Sequence, residues 1–326
     1  MTRISVAMCT YNGEKYLREQ LQSIAAQTRL PDEMVVCDDG SSDATSEIIE
    51  EFARTAPFPV RFIRNPQNLG STKNFEKAIG LCAGDLIALC DQDDIWMPEK
   101  LACQAEMMER DPELGGVFSD AELIDASSRP IGKRLWANIL FTPQEQSRFR
   151  SGYEIDVQLK RNVVTGATLV FRARLRPLFM PIPAIWVHDG WIAWMLLVHS
   201  KLTFISEPLI QYRLHGGQQI GVEALAQSAF PLRQRLQQGK RVEPAKHLAL
   251  AAELEVLRQN ILVSDNRANR DTALGLQQKI AFLRDRAAPY SNRPTKALQL
   301  LMRAGDYLRF ERSWKSFVRD IVMVFV

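Results

Sequence analysis

Apolar positions in the first 120 residues switch repeatedly between two periods. Residues 4–8 form a short apolar run, and residues 14–27 then place Leu17, Leu21, Ile24 and Ala25 on one helical face. The switch recurs at 34–37 followed by 42–53, where Ile48, Ile49 and Phe52 are in phase, at 60–63 followed by 71–81, and at 85–90 followed by 99–110. A further strand is expected at 116–118. Strand–helix alternation with short connections predicts βαβ units and an open, mostly parallel sheet flanked by helices. Past residue 120 the pattern loosens: Asp120, Glu122 and Asp125 form an acidic segment, 141–150 is polar, 163–171 runs into a strand, 185–198 is aromatic-rich, and 203–212 regains strand character. After Gly221 the composition turns helical over 224–237, 244–264 and 270–287. That places a boundary near residue 222, with an α/β domain over 1–221 and a helical C-terminal region over 222–326.

Open parallel sheets bind ligands beyond the carboxyl ends of their strands. The first run here ends in Thr10-Tyr11-Asn12-Gly13-Glu14 and the second in Asp38-Asp39-Gly40-Ser41-Ser42-Asp43. The third ends in Arg64-Asn65-Pro66-Gln67-Asn68-Leu69-Gly70 and the fourth in Asp91-Gln92-Asp93-Asp94. Asn-Gly and Asp-Gly are ordinary turn formers, yet four polar mouths on one sheet edge describe a site. Three carboxylates within four residues, directly after an apolar strand, are costly unless a cation or hydrogen-bond donors offset them. Oxygen ligands on a short turn suit Mg2+ or Mn2+, ions that keep waters and share themselves with phosphate oxygens. Asp43 reads differently, as an acid at the start of the following helix.

Composition adds limits. The 326 residues, 46% hydrophobic and 24% charged, describe a globular protein with room for a large core. A net charge of +3 is too small to argue for a nucleic-acid partner. Residues 293–320 hold seven Lys/Arg against three acids, interleaved with apolar positions. Two readings of this tail stay open: an amphipathic helix on the anionic inner membrane leaflet, or a helix packed on the first domain or on the second subunit of a homodimer. All five cysteines lie in the first third without a CxxC pair, which fits a reducing compartment. The N-terminal residues lack a signal-peptide apolar region, and no stretch approaches 18 uncharged apolar residues. The expected location is cytoplasmic, with peripheral membrane contact as the option the tail leaves.

The strand-end series resembles the family 2 glycosyltransferases of the GT-A fold over residues 3–219. Val6-Ala7-Met8-Cys9-Thr10-Tyr11-Asn12-Gly13 is similar to the family's first strand and nucleotide loop, and Val36-Cys37-Asp38-Asp39-Gly40-Ser41-Ser42-Asp43 to its second. Asn65–Gly70 and the Asp91–Asp94 cluster follow in the family's order and spacing. Asp91-Gln92-Asp93-Asp94-Ile95-Trp96 and Tyr212-Arg213-Leu214-His215-Gly216-Gly217 look most like bacterial rhamnosyltransferases that build cell-surface polysaccharide. The resemblance implies a GT-A-like, Rossmann-type, mostly parallel sheet with a C-terminal helical extension. It also implies an inverting, metal-dependent transferase. Such an enzyme would move one sugar, rhamnose being one candidate, from a dTDP- or UDP-linked donor to a hydroxyl of a glycan or lipid-linked acceptor. On that reading Thr10, Asn12 and Glu14 line the base pocket, and Asp38 and Asp39 accept hydrogen bonds from base or ribose. Asn68 and Asp91 belong to the same nucleotide-sugar side, and Lys73 is either a diphosphate contact or a solvated helix position. Asp93 and His215 are the metal ligands.

Trp186-Val187-His188-Asp189-Gly190-Trp191 resembles the family's acceptor-side motif, whose Asp is the catalytic base. Asp189 would take the proton from the acceptor hydroxyl, and a carboxylate desolvated between aromatics suits that task. The family often has Glu-Asp where this chain has His188-Asp189, so His188 either orients Asp189 or packs. Trp186 and Trp191 either stack on sugar faces or pack, and Trp194 packs. Thr165-Gly166-Ala167 resembles the loop under the acceptor, where a small residue admits close backbone approach. Gln211-Tyr212-Arg213-Leu214-His215 lacks the Trp of the Gln-x-x-Arg-Trp motif of processive synthases, which favours single addition. Two other functions compete. A nucleotidyltransferase would carry a Gly-rich basic loop after the first strand, and residues 10–14 have none. Against a non-catalytic nucleotide-sugar-binding module stand Asp189 and His215 together.

Overall fold

The computed structural model describes residues 2–216, 232–263, 267–288, 293–311 and 314–325. Four parallel strands, β1 (Ile4–Thr10), β2 (Glu33–Asp38), β3 (Val60–Arg64) and β4 (Leu86–Cys90), lie in the order β3-β2-β1-β4. They are linked by α1 (Leu17–Ala25), α2 (Thr45–Thr55) and α3 (Ser71–Leu81). β1 and β4 are buried at every position, as expected of central strands covered on both faces, which read as continuous apolar runs rather than alternating ones. The register sets Thr10 beside Asp38 and Met8 beside Cys90, so the strands end together along one edge.

The chain then forms β5 (Ile95–Trp96), α4 (Lys100–Arg110), β6 (Leu114–Ile124), β7 (Pro130–Arg134) and a short α5 (Leu135–Asn138). Two more helices follow, α6 (Pro143–Arg148) and α7 (Glu154–Lys160), and then β8 (Val170–Arg172), α8 (Arg176–Phe179), α9 (His188–His199) and β9 (Lys201–Arg213). The sheet continues past β4 as β8-β6-β9-β5, with β7 paired to β6. β8 is antiparallel to both its neighbours, and β6 and β9 are parallel. β6 is far longer than the expected 116–118 because Asp120 is accommodated inside it. That buried carboxylate accepts hydrogen bonds from Ala121 N at 2.8 Å and Trp136 N at 3.0 Å, so the acidic segment is strand and not loop.

The chain divides into two compact units, residues 1–142 with 163–216, and residues 143–162 with 217–326. The second holds α6, α7, α10 (Leu232–Leu262), α11 (Arg267–Ala287), α12 (Arg293–Met302), α13 (Ala304–Phe310) and α14 (Lys315–Phe325). The expected boundary near residue 222 and the first part of the helix expected over 224–237 lie outside the described residues; from 232 onward the described residues are mostly helical. A helix start expected at Pro244 is absent, since α10 runs through this proline. Proline removes one backbone hydrogen bond. Beyond it Ala251, Leu254, Leu257 and Ile261 recur at helical spacing as a buried stripe, and Leu276, Ile280 and Leu283 of α11 are buried likewise, so packing overrides the local cost. Arg286, with 2% of its side chain exposed, pairs there with Glu311 and, at 2.7 Å, with Asp320. The Tyr307 hydroxyl donates to the same Asp320 at 2.6 Å.

Candidate active site

The edge where β1, β2 and β4 end is assembled by side chains that bond loop to loop. Asn12 sits at φ 48°, a left-handed conformation that Asn tolerates better than most residues. Its N–H donates to Ser41 Oγ at 2.8 Å and its Oδ1 accepts from Ser42 N at 2.9 Å, tying the first mouth to the second. Thr10 Oγ1 donates to Asp38 Oδ1 at 2.9 Å, and Asp38 also accepts from Ser41 N at 2.9 Å and Ser41 Oγ at 2.5 Å. Asp39 accepts from Asn65 Nδ2 at 2.8 Å, Leu69 N at 2.8 Å and Gly70 N at 2.9 Å, while Asn68 Nδ2 reaches its backbone carbonyl at 3.1 Å. The third mouth is therefore folded onto Asp39.

The fourth mouth is the acidic turn. Gln92 spans it to the first: its Oε1 accepts from Tyr11 N at 2.8 Å and its Nε2 donates to Tyr11 O at 3.1 Å. Burial pushes the Asp91 carboxyl up to about 8, with Asp93 and then Asp189 adding to the effect. Asp94 is fully buried and also raised, by burial first and then by Asp93 and Asp91. One of its oxygens accepts from Arg213 N at 3.0 Å, and the other has no partner among the described residues. Arg213, at the end of β9 and 0% exposed, supplies the cation behind this turn. Its guanidinium donates to Asp93 O at 2.7 Å, Ser128 Oγ at 2.8 Å and Glu19 Oε2 at 2.6 Å, and lies over the Tyr16 ring. Two residues on, His215 Nε2 meets Asp93 Oδ2 at 2.8 Å, with both side chains 16% exposed.

Asp93 and His215 are the residues that could hold a divalent ion here. Among the described residues no three His, Cys, Asp or Glu side chains form a ready-made cage. Asp93 and His215 nevertheless present one carboxylate oxygen and one imidazole nitrogen side by side on a turn that carries two further acids. Excess negative charge with few protein ligands suits an ion that completes its shell with water and phosphate oxygens.

Asp189 lies in the first turn of α9. Its Oδ1 accepts from Gly190 N at 2.6 Å and its Oδ2 from Gly166 N at 3.2 Å. The approach is close: a Cβ at Gly166 would stand 3.2 Å from His188 Nε2 and 3.3 Å from the Asp189 Cβ. The loop that carries Gly166 is fixed from below by Gln104 of α4, whose Nε2 donates to Thr168 O at 2.7 Å and Val117 O at 3.1 Å. Fully buried Lys100 donates to Gln104 Oε1 at 2.7 Å and thereby decides which end of the amide faces those carbonyls. His188 is buried and stacked on Phe75 with ring centroids 3.9 Å apart. Burial lowers its pKa, opposed by Asp189, so the neutral ring is favoured.

The structure thus gathers Thr10, Asn12, Asp38, Asp39, Asn68, Asp91, Asp93, Gly166, His188, Asp189 and His215 around the strand ends. Other expected positions need correction. Trp191 is 2% exposed and donates its indole N–H to Phe179 O at 2.8 Å, and Trp186 packs against it, so both are core residues and not sugar platforms. Trp194 packs in the core as expected. Lys73 donates to Glu76 Oε2 and Ile182 O, each at 2.7 Å, which holds its ammonium on the α3 side. Glu14 accepts from Ala44 N at 3.0 Å at the start of α2, and Asp43 accepts from Thr45 N and Glu14 N, so both acids serve that helix start. Asp189 is half-buried. Gln104 and Lys100 lie outside every motif quoted above, and Gln92 and Arg213 lie inside two of them, which do not reveal the contacts these side chains make.

Comparison with known proteins places the family and the fold. Residues 5–179 match the family model described as glycosyl transferase family 2. An uncharacterized protein of Mycobacterium tuberculosis is 31% identical over 215 residues, 65% of this chain and 59% of that protein. The chain's match thus spans less than two thirds of that relative's length. The dTDP-rhamnosyl transferase RfbG of Shigella flexneri is 27% identical over 223 residues, 66% of this chain and 73% of its own length. Residues 1–349 of S. aureus TarS superpose with a TM-score of 0.61 at 16% identity, covering 99% of this chain and 89% of that one. A mannosyltransferase from Pyrobaculum calidifontis, solved with GDP-Man and Mn2+, gives a TM-score of 0.50 at 17% identity, covering 99% and 86%. At such identities the structural likeness carries the fold alone.

Proposed function

The chain belongs to glycosyl transferase family 2 and has the GT-A fold, and from that premise we propose that it transfers one sugar from a nucleoside-diphosphate donor to a hydroxyl acceptor with inversion at the anomeric carbon. The observation that carries this reading is geometric. The acidic turn, with His215 Nε2 2.8 Å from Asp93 Oδ2, and Asp189, held by Gly166 N at 3.2 Å, are brought to one site from different elements. Burial, then Asp93 and Asp189, raise the pKa of Asp91 there.

Each side has its task. The mouths of β1 and β2 form the nucleotide floor, where the Asn12 and Asp38 bonds hold the loops in one arrangement before any ligand enters. Asp93 and His215 would hold Mg2+ or Mn2+, which when bound supplies positive charge to a diphosphate leaving group. The imidazole nitrogen that meets Asp93 is the atom such an ion would claim. Asp189, its carboxylate oriented by Gly166 N and Gly190 N, takes the proton from the acceptor hydroxyl as that oxygen attacks. Neutral His188, in the wall beside it, adds no competing positive charge. The rhamnosyl relative supports a deoxyhexose donor on dTDP, with UDP as the second base to test; a glycan or lipid-linked acceptor in surface polysaccharide synthesis follows from the same likeness.

Calorimetric titration with dTDP and UDP, each in Mn2+ and in EDTA, tests the reading. Nucleotide binding that requires the metal supports it, and the tighter base names the donor class. If neither nucleotide binds under either condition, the acidic turn is structural and the proposal fails.

A further inference from the structure

The outer faces of the last three helices combine exposed apolar residues with basic ones and turn their acids inward. On α12, Leu298, Leu301 and Met302 are 59%, 55% and 81% exposed, at the i, i+3, i+4 spacing of one helical face. Leu308 of α13 is 70% exposed. Beyond it Trp314, Val318 and Val322 recur every fourth residue and form a single exposed stripe along α14. The opposite face of α14 is the inward one: Val324 is buried there, and Asp320 is drawn to the buried Arg286.

Charge follows the same division. The three acids between residues 293 and 325 are all engaged by arginines: Glu311 and Asp320 by Arg286, and Asp306 by Arg303 at 2.8 Å. Lys315 and Arg319 stand on the exposed side of α14 beside Trp314 and Val318, Arg319 with its Nε also 3.3 Å from Asp320 Oδ1. The outward face is therefore apolar and cationic. Among the described residues no helix is long and apolar enough to cross a membrane. An amphipathic face of this kind, with a tryptophan and lysine or arginine at its border, matches the boundary between lipid headgroups and acyl chains.

We infer that this face of α12–α14 seats the protein on an anionic lipid surface. A second copy of the chain would cover the apolar stripe equally well, but it would bring the same positive charges against themselves. Anionic headgroups meet both properties of the face. The inference is independent of the transferase reading, because nothing in it involves the strand-end site.

The protein carries its own reporter. Of its six tryptophans, Trp96, Trp136, Trp186, Trp191 and Trp194 are buried and Trp314 is 63% exposed. Fluorescence of the full chain is recorded with vesicles of phosphatidylcholine alone and of phosphatidylcholine mixed equally with phosphatidylglycerol, alongside co-sedimentation. The expected result is a blue shift and pelleting with the anionic vesicles, weakened by added salt. A Val318→Glu, Val322→Glu variant, altered only at exposed positions, is expected to partition at least tenfold more weakly with unchanged circular dichroism. Absence of both shift and pelleting overturns the inference, and so does equal binding to neutral vesicles. A blue shift that grows with protein concentration without lipid assigns the face to a second copy and overturns it as well.

Discussion

His215 Nε2 lies 2.8 Å from Asp93 Oδ2, although 122 residues separate them in the chain. The contact is made because β9 runs beside β5 and its last residue, Arg213, bonds both Asp93 O and an Asp94 carboxylate oxygen. Removing each partner should affect metal-dependent nucleotide binding unequally. Asp93→Ala is expected to abolish Mn2+-dependent binding of UDP or dTDP. His215→Ala is expected to weaken it about tenfold. Calorimetry on both variants checks this, and unchanged affinity in Asp93→Ala would remove Asp93 from the metal site.

Asp39 is committed to the loop over residues 65–70, where three donors share its carboxylate. Asp39→Ala leaves those donors to water or to nothing. Because Leu69 and Gly70 are partly exposed, the expected loss of stability is about 2 kcal/mol rather than the full cost of three buried groups. Urea denaturation of the ligand-free protein measures it. A variant as stable as the wild type, yet unable to bind nucleotide, would return Asp39 to the role of direct ligand contact.

Gly166 brings the backbone of another element close to the proposed base, its N–H 3.2 Å from Asp189 Oδ2. A methyl group there needs the His188 ring and the Asp189 side chain to yield by a few tenths of an ångström. Gly166→Ala is expected to lower kcat about tenfold through misplacement of that carboxylate, while nucleotide affinity holds. Steady-state kinetics with calorimetry separates the two effects.

Lys100 gives a pH signature. Burial lowers its pKa to about 7, with Cys90 and Asp94 opposing the shift. Between about pH 7 and the ordinary lysine value, the unfolded chain holds a proton that the folded one has released. Stability contributed by this residue therefore rises with pH across that window, by about 1.4 kcal/mol per pH unit at most. Compared with Lys100→Met, the wild type should gain relative stability as pH rises from 7 to 9. Parallel stability curves would show that the ammonium stays charged inside the fold.

Much of this was legible in the sequence where the signal is local. The four strand-end mouths, the Asp91–Asp94 turn and the close approach at Gly166 each depend on a few consecutive residues, and the structure places them together. What escaped depends on distant partners. Arg213 reaches Glu19 across 194 positions and Ser128 across 85, so no motif reveals it as the cation behind the acidic turn. The bonds of Asp39 to residues 65–70 likewise join segments far apart in the chain. Trp191 was ambiguous because α9 is buried nearly all round, which erases the one-sided pattern that separates a core aromatic from an exposed one.

The central claim is that Asp189 acts as base toward an acceptor hydroxyl beside the Asp93–His215 pair. The most direct measurement is sugar transfer by wild type and Asp189→Asn, with nucleotide affinity determined on the same preparations. The account predicts that Asp189→Asn binds nucleotide and metal as the wild type does while kcat falls about a thousandfold. Transfer at the wild-type rate by Asp189→Asn would contradict it.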